Sequence, residues 1–218
     1  MGKEWLRRGL ALGCLLAVSG GQAGTITPTT IFINEFHYDN KGVDTGERVE
    51  IAGPAGTGLD NWLLLLYNGA TGEQYKSITL AGTFTDQWGG LGFLVFDTPG
   101  LQNGAPDGMA LVDASGKVVQ FLSYEGAFTA KNGGASGLTS TNIGVRESND
   151  STPEGWSLQL EGTGTTYSDF RWSGPKASTF GAANFDQTLS PVPLPASLWL
   201  FGSGLVGLLG LGRWRRRG

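Results

Sequence analysis

The sequence is poor in the residues that most often carry enzyme chemistry. It contains one cysteine, Cys14, and one histidine, His37, among 218 residues. Cys14 lies in an N-terminal run that is predicted to be removed, which leaves the mature chain without a disulfide framework. No His or His/Cys spacing is repeated, so the sequence predicts neither a zinc site nor Cys/His catalysis. A lone histidine in an apolar strand is more typical of a hydrogen-bonded structural residue than of a catalytic base.

Other signatures of catalysis and of nucleic-acid binding are also missing. The chain has no Gly-x-Ser-x-Gly elbow, Walker loop or dinucleotide fingerprint in a strand-to-helix setting. Charged residues make up only 16% of it, and the formal net charge is −4. Between residues 24 and 190, eight basic residues compare with eighteen acidic ones, a formal charge near −10. Capture of a phosphate backbone depends on Lys and Arg, so we expect no nucleic-acid partner.

The N-terminus has the layout of a secretory signal peptide over residues 1–23. Basic residues come first, at Lys3, Arg7 and Arg8. A short apolar run over 9–18 follows, and small residues then lie before a plausible cleavage point after Ala23. The run is too short for an ordinary membrane span, so the sequence predicts export. The Arg7-Arg8 pair leaves twin-arginine export open, but the flanking residues favour the Sec route.

The C-terminus carries an apolar run that ends in arginines. Residues 194–212 contain no charge. About 19 helical residues at 1.5 Å each match a hydrocarbon layer of about 30 Å, so we expect a transmembrane helix there. Arginines directly after the run would stay cytoplasmic, which leaves the preceding domain on the far side of the membrane. A plain membrane anchor is one alternative. A buried core helix is another, but four arginines directly after the apolar run would then have to lie in or beside a folded interior, where unpaired charges are costly.

The whole tail, 191–217, resembles a PEP-CTERM sorting signal. A Val-Pro-x-Pro-Ala block, a Trp-Leu-Phe-Gly-Ser-Gly stretch, a Gly/Leu-rich span and an Arg cluster occur in that order, with Leu194 where Glu is often found. The residues that carry the likeness are Val192, Pro193, Pro195, Ala196, Trp199, Gly202, Gly204, Arg213, Arg215, Arg216 and Arg217. The resemblance implies processing by an exosortase in the inner membrane of a Gram-negative, exopolysaccharide-making bacterium. The domain would then pass to the cell surface or extracellular matrix.

Between the two ends, the pattern predicts an all-β protein. Glycine occurs 37 times and separates short runs rich in Thr, Val, Leu and aromatic residues. The stretch "GMALVDASGKVVQFLSYEG" is typical of a hairpin that turns at 113–116. The predicted strands are 31–38, 48–52, 62–67, 75–80, 91–96, 109–112, 118–123, 156–160 and 169–172. Strands of this number and length, with Gly-rich turns, favour an antiparallel sandwich.

The order of these segments resembles the lamin-tail domain, an immunoglobulin-like sandwich. The matching stretches are "IFINEFHYDN", "ERVEIAGPAGTGLDNWLLLLYNG" and "PDGMALVDASGKVVQFLSYEG". The likeness covers roughly residues 30–187, which we expect to form one domain. Some bacterial domains of this kind lie beside a nuclease-type catalytic domain, and this sequence has none.

Two groups of residues are candidates for ligand binding. Asp39, Asn40, Asp44 and Glu47 supply oxygen atoms in one Gly-containing loop, which makes them candidate ligands of a Ca²⁺ ion. The same residue types also build ordinary turns. Trp88 lies in the loop "TDQWGG", where an exposed indole would stack on a sugar or else cap the sheet. Trp62, Trp156 and Trp172 are expected to be core residues.

These features together predict an exported, non-enzymatic protein of the surface or matrix, with the sandwich as an interaction module. Its expected partners are the exosortase, exopolysaccharide or other matrix proteins, and transiently the inner membrane. A secreted hydrolase with a carboxylate pair is an alternative, because acidic residues are abundant. A calcium- or carbohydrate-binding adhesin and a structural matrix protein without a specific ligand also fit the sequence.

Overall fold

The structure is a computed structural model that describes residues 29–190. These residues include the whole of the predicted domain. The predicted signal peptide, 1–23, and the predicted sorting tail with its transmembrane helix, 191–217, lie outside them. Within the described residues, no helix is long and apolar enough to cross a membrane. This part of the chain forms eleven strands in two sheets, which confirms the all-β prediction.

Six strands form the first sheet. Their bounds are β1 Phe32–His37, β2 Arg48–Pro54, β5 Leu91–Asp97, β9 Trp156–Gly164, β10 Phe170–Ala177 and β11 Gln187–Leu189. The order across the sheet is β10-β9-β1-β2-β5, and β11 pairs with β9. The β9–β11 pair is parallel and the others are antiparallel. In β1 the register shifts between Ile33 and Glu35, which is a bulge at Asn34.

Five strands form the second sheet. Their bounds are β3 Trp62–Asn68, β4 Glu73–Leu80, β6 Asp107–Val112, β7 Val118–Tyr124 and β8 Thr141–Asn142. The order is β4-β3-β6-β7-β8. Strands β6 and β7 form the predicted hairpin. Its turn is held by Asp113, whose Oδ1 accepts hydrogen bonds from the backbone N–H groups of Ser115 (2.9 Å) and Lys117 (3.0 Å).

The main core lies between the two sheets. Val49 and Ile51 point into it from the first sheet, and Leu64 and Leu66 point into it from the second. Alternate residues of a strand face opposite sides of its sheet, so the period-2 pattern places these side chains on the inner faces. The shared core shows that the sheets pack face to face.

The outer face of each sheet is also covered. Leu65 and Tyr67 of β3 pack outward under Phe128, and Phe32 of β1 packs outward with Leu189. Strand β3 is thus buried on both sides, which explains its nearly continuous apolar sequence "WLLLLY". A segment at 178–186, here named the covering segment, lies over the first sheet and brings polar groups to its outer face.

Nine strands were predicted, and all nine are present. The largest differences in bounds are in β9, which extends to Gly164, and in β10, which runs from Phe170 to Ala177. Strands β8 and β11 were not predicted, because two and three residues are too few to show a period.

Candidate functional site

The loop that follows β1 is shaped by Asn40. Its Nδ2 donates to the carbonyls of Lys41 (3.2 Å) and Val43 (3.0 Å), and its Oδ1 accepts from the backbone N–H of Thr45 (2.9 Å). A short amide side chain that bonds to its own loop is a common way to fix a turn. The predicted calcium ligand Asn40 therefore directs its side chain into the loop.

The other three predicted calcium ligands divide into two groups. Asp39 and Asp44 come together, and the charge of Asp44 adds to burial in raising the pKa of Asp39. Asn103 donates to Oδ2 of Asp44 at 3.1 Å. Glu47 instead accepts a hydrogen bond from the backbone N–H of Gly100 at 3.2 Å. Within residues 29–190, no three His, Cys, Asp or Glu side chains form a group suited to a metal.

His37 is part of a buried ion pair. Its Nδ1 lies 2.9 Å from Oε1 of Glu147, and its Nε2 lies 3.2 Å from both Oδ1 of Asn40 and the carbonyl of Thr45. Both ring nitrogens face acceptors, which indicates an imidazolium. Burial acts to lower the pKa of His37, but the hydrogen bond and charge of Glu147 outweigh it and raise the pKa. Both ring nitrogens are engaged by the protein, so His37 fixes the end of β1 to the loop at 147.

A surface cleft of about 250 Å³ opens beside this ion pair. Its walls come from the loop after β1, the starts of β2 and β9, and the covering segment. The lining residues are His37, Thr45, Gly46, Arg48, Glu154, Gly155, Trp156, Ser178 and Phe180. An aromatic surface with convergent polar groups in a concave site is the usual arrangement of a small-molecule binding site.

Charged groups of both signs lie in the cleft. The guanidinium of Arg48 is 5.5 Å from the ring centre of Phe180, a cation–π distance. Its Nη2 is 3.5 Å from Oδ1 of Asp97. Glu154 accepts a hydrogen bond from Oγ1 of Thr45 at 3.3 Å. The cleft therefore offers donors, acceptors and two aromatic rings to a ligand.

The tryptophans are not distributed as the sequence predicts. Trp156 was expected in the core, but it is 37% exposed and lines the cleft. It is the first residue of β9, so the strand carries it past the end of the core. Trp62 and Trp172 pack against the core and are partly buried. Trp88 is 50% exposed, and it is not among the residues that line the cleft.

Two carboxyl groups are buried on the outer face of the first sheet. Glu35 and Glu50 are cross-strand partners, and both are fully buried. The covering segment satisfies them: Thr179 N–H donates to Glu35 at 2.8 Å and Gly181 N–H donates to Glu50 at 2.6 Å. Asn34 Nδ2 donates to the other oxygen of Glu50 at 2.8 Å. These carboxyls hold the covering segment on the sheet, a role that the sequence analysis did not find.

The predicted sorting residues lie outside the described part of the chain, so their placement stays a prediction.

No protein-family model matches the chain, and neither a curated protein nor a solved structure matches it significantly. The class that the structure defines is therefore an all-β protein of two packed sheets, with an aromatic and polar cleft at the surface. Membership of the chain in a protein family therefore stays a proposal.

Proposed function

We propose that this protein is an exported, non-enzymatic component of the cell surface or extracellular matrix of a Gram-negative bacterium. Its sandwich, of the immunoglobulin-like lamin-tail type, serves as the interaction module. An exosortase processes the C-terminal tail after a signal peptide and the transmembrane helix have placed the domain outside. The sequence of both ends supports this route, and the two packed sheets are consistent with the domain type.

The observation that carries the interaction role is the cleft beside His37. We infer that it binds a saccharide unit of the exopolysaccharide. The half-exposed indole of Trp156 gives a flat apolar surface for one face of a sugar ring, and Arg48 and Glu154 can hydrogen-bond to its hydroxyls. The formal charge near −10 between residues 24 and 190 disfavours polyanions, so a neutral saccharide fits best.

We expect Trp156→Ala to weaken saccharide binding at least about tenfold, because an aromatic ring that a ligand covers on binding carries a large share of the binding free energy. The measurement is a screen of the purified protein on an array of neutral and uronate-containing oligosaccharides, followed by calorimetric titration of the best ligand. The matched control is Trp88→Ala, which removes an exposed indole outside the cleft. Equal loss in both variants, or no binding by the unaltered protein, would contradict the cleft assignment. Loss in Trp88→Ala alone would favour the loop site predicted from the sequence.

For the tail, we expect the surface-exposed form to lack the Arg cluster, residues 213–217. The reason is that exosortase processing removes the membrane span together with the arginines that follow it. The measurement is fractionation of the native host, with mass determination of the C-terminus in the membrane and medium fractions. The membrane fraction is the internal control, since it should contain the unprocessed form. Intact Arg217 on all surface protein would rule out processing.

A further inference from the structure

In the loop after β1, one oxygen atom of a carboxyl group is buried without a hydrogen-bond partner. Asp39 is only 5% exposed, and its Oδ1 has no hydrogen-bond partner. The backbone of Asp39 is held by Glu147, because its N–H donates to Oε2 of that residue at 2.9 Å. An unpaired buried carboxylate oxygen costs free energy unless a ligand satisfies it.

A second carboxylate meets the first. Asp44 accepts hydrogen bonds from the backbone N–H of Asn40 (3.3 Å) and from Nδ2 of Asn103 (3.1 Å). Asn103 also contributes a hydrogen bond to Asp39, and the charge of Asp44 acts on the same carboxyl. Among residues 29–190, no Lys or Arg forms an ion pair with either aspartate. The two adjacent carboxyl groups thus have no ion-pair partner in this part of the chain.

We propose that Asp39 and Asp44 bind a divalent cation of the calcium class. Both are hard oxygen donors, and the nearby Asn103 can turn its amide oxygen toward the ion. Within the part of the chain that the structure describes, no histidine or cysteine joins the pair, which disfavours zinc and copper. Neutral oxygens and water would complete the shell, because a third carboxylate is missing from the group. A site with few charges is weak, so we expect a dissociation constant of about 0.1–1 mM, as in extracellular modules.

The ion would also order one wall of the cleft. Asp39 and Asp44 lie near the two ends of a short loop, and Thr45 and Gly46, directly after it, line the cleft. This consequence rests on the proposed function, whereas cation binding itself does not. The two therefore fail separately: calorimetry with Ca²⁺ alone tests the ion site, and oligosaccharide binding tests the cleft.

The test is a titration of the full-length protein in detergent, after treatment with a chelator, with CaCl₂ and separately with MgCl₂. We expect heat of binding with Ca²⁺ and, at about ten times the dissociation constant, a melting temperature raised by about 3–6 °C. Asp44→Asn should weaken Ca²⁺ binding at least about tenfold. In chelator the same variant should melt higher than the unaltered protein, because it removes the repulsion with Asp39.

The matched control is Asp150→Asn, an exposed aspartate in the loop after Glu147. It should leave both the Ca²⁺ heat and the melting temperature unchanged. The proposal is overturned if Ca²⁺ gives neither heat nor a shift up to about 10 mM, ten times the weakest affinity expected of such sites. Equal loss in Asp150→Asn, or equal binding of Mg²⁺ and Ca²⁺, would also overturn it, since both indicate non-specific charge screening. If the carboxyls instead share a proton, Asp44→Asn changes the pH dependence of stability and Ca²⁺ has no effect.

Discussion

Replacing Glu147 by alanine is expected to lower the free energy of unfolding by about 3–5 kcal/mol, because it removes one partner of a buried ion pair together with the acceptor of two buried backbone N–H groups. Oε1 of Glu147 lies 2.9 Å from Nδ1 of His37. Oε2 accepts the backbone N–H groups of Tyr38 (2.6 Å) and Asp39 (2.9 Å). Alanine would leave both backbone N–H groups buried without an acceptor, and it would remove the carboxylate that raises the pKa of His37 and bonds to its Nδ1.

The loss should extend to the aromatic packing behind the ion pair. The ring of Tyr38 stacks on that of Tyr124 with centroids 3.9 Å apart. Tyr38 directly follows β1 of the first sheet, and Tyr124 is the last residue of β7 in the second sheet. The hydroxyl of Tyr38 accepts the backbone N–H of Glu147 at 2.9 Å. A loop released by the substitution would therefore weaken a contact between the sheets as well.

Urea unfolding followed by tryptophan fluorescence measures this effect. Asp150→Ala is the matched control, because Asp150 is an exposed acid in the same loop, and such surface changes stay within about 0.5 kcal/mol. Glu147→Gln keeps one carbonyl acceptor and should give an intermediate loss. An alanine variant as stable as the control would show that the pair does not stabilise the fold.

The strands could be predicted from the sequence because their signal is local. Alternation in "WSLQL" and the Asp-Ala-Ser-Gly turn at 113–116 depend only on neighbouring residues, and both predictions are confirmed by β9 and by the β6–β7 hairpin. Trp156 shows the limit of this signal. Trp156 alternates with Leu158 in the sequence, but Leu158 packs in the core between the sheets whereas Trp156 lines the cleft, and the alternation does not show where the core ends along the strand.

The candidate sites were harder to predict because they depend on contacts between distant residues. Thr179 is 144 residues from Glu35, and Glu147 is 110 residues from His37. A glutamate in an otherwise apolar strand, as in "FINEFH", looks like the solvent-facing half of a two-sided pattern. It is buried here because the covering segment adds a further layer on that face. The local sequence holds only a weak signal of such a layer, namely polar residues flanked by aromatics.

Stability is expected to fall as the pH rises from about 4.5 to 8, and Glu50→Gln should flatten this dependence. Burial raises the pKa of Glu50 from 4.5 to about 8, and the charge of Glu35 adds to the rise, although bonds from Asn34 and Gly181 oppose it. The pKa of Glu35 is raised by burial as well. An acid with a raised pKa in the folded state binds its proton more tightly there than in the unfolded chain. Its stabilisation is thus complete below 4.5 and is lost progressively up to the folded pKa.

The size of the effect follows from the proton linkage. Each pH unit in this window removes up to about 1.4 kcal/mol for one group. At low pH, Glu50→Gln should be somewhat less stable than the unaltered protein. The side chain of residue 50 accepts hydrogen bonds from Asn34 Nδ2 and from the backbone N–H of Gly181, and a glutamine amide has only one oxygen to accept them. The difference should shrink and then reverse as the pH approaches 8, since the variant has no proton to lose.

Urea unfolding at a series of pH values between 4.5 and 8.5 tests this, with the slope of the unfolding free energy against pH as the measured quantity. Glu73→Gln makes the same charge change at an exposed position of β4 and should leave the slope as it is. Glu161 acts in the opposite direction and at lower pH: bonds from Lys176 and Arg171 lower its pKa to about 2, so its stabilisation is present throughout this window and is lost only as the pH falls below about 4.5. An unchanged slope in Glu50→Gln would show that the covering segment does not bury a titrating carboxyl, and that the polar layer over the first sheet is open to water.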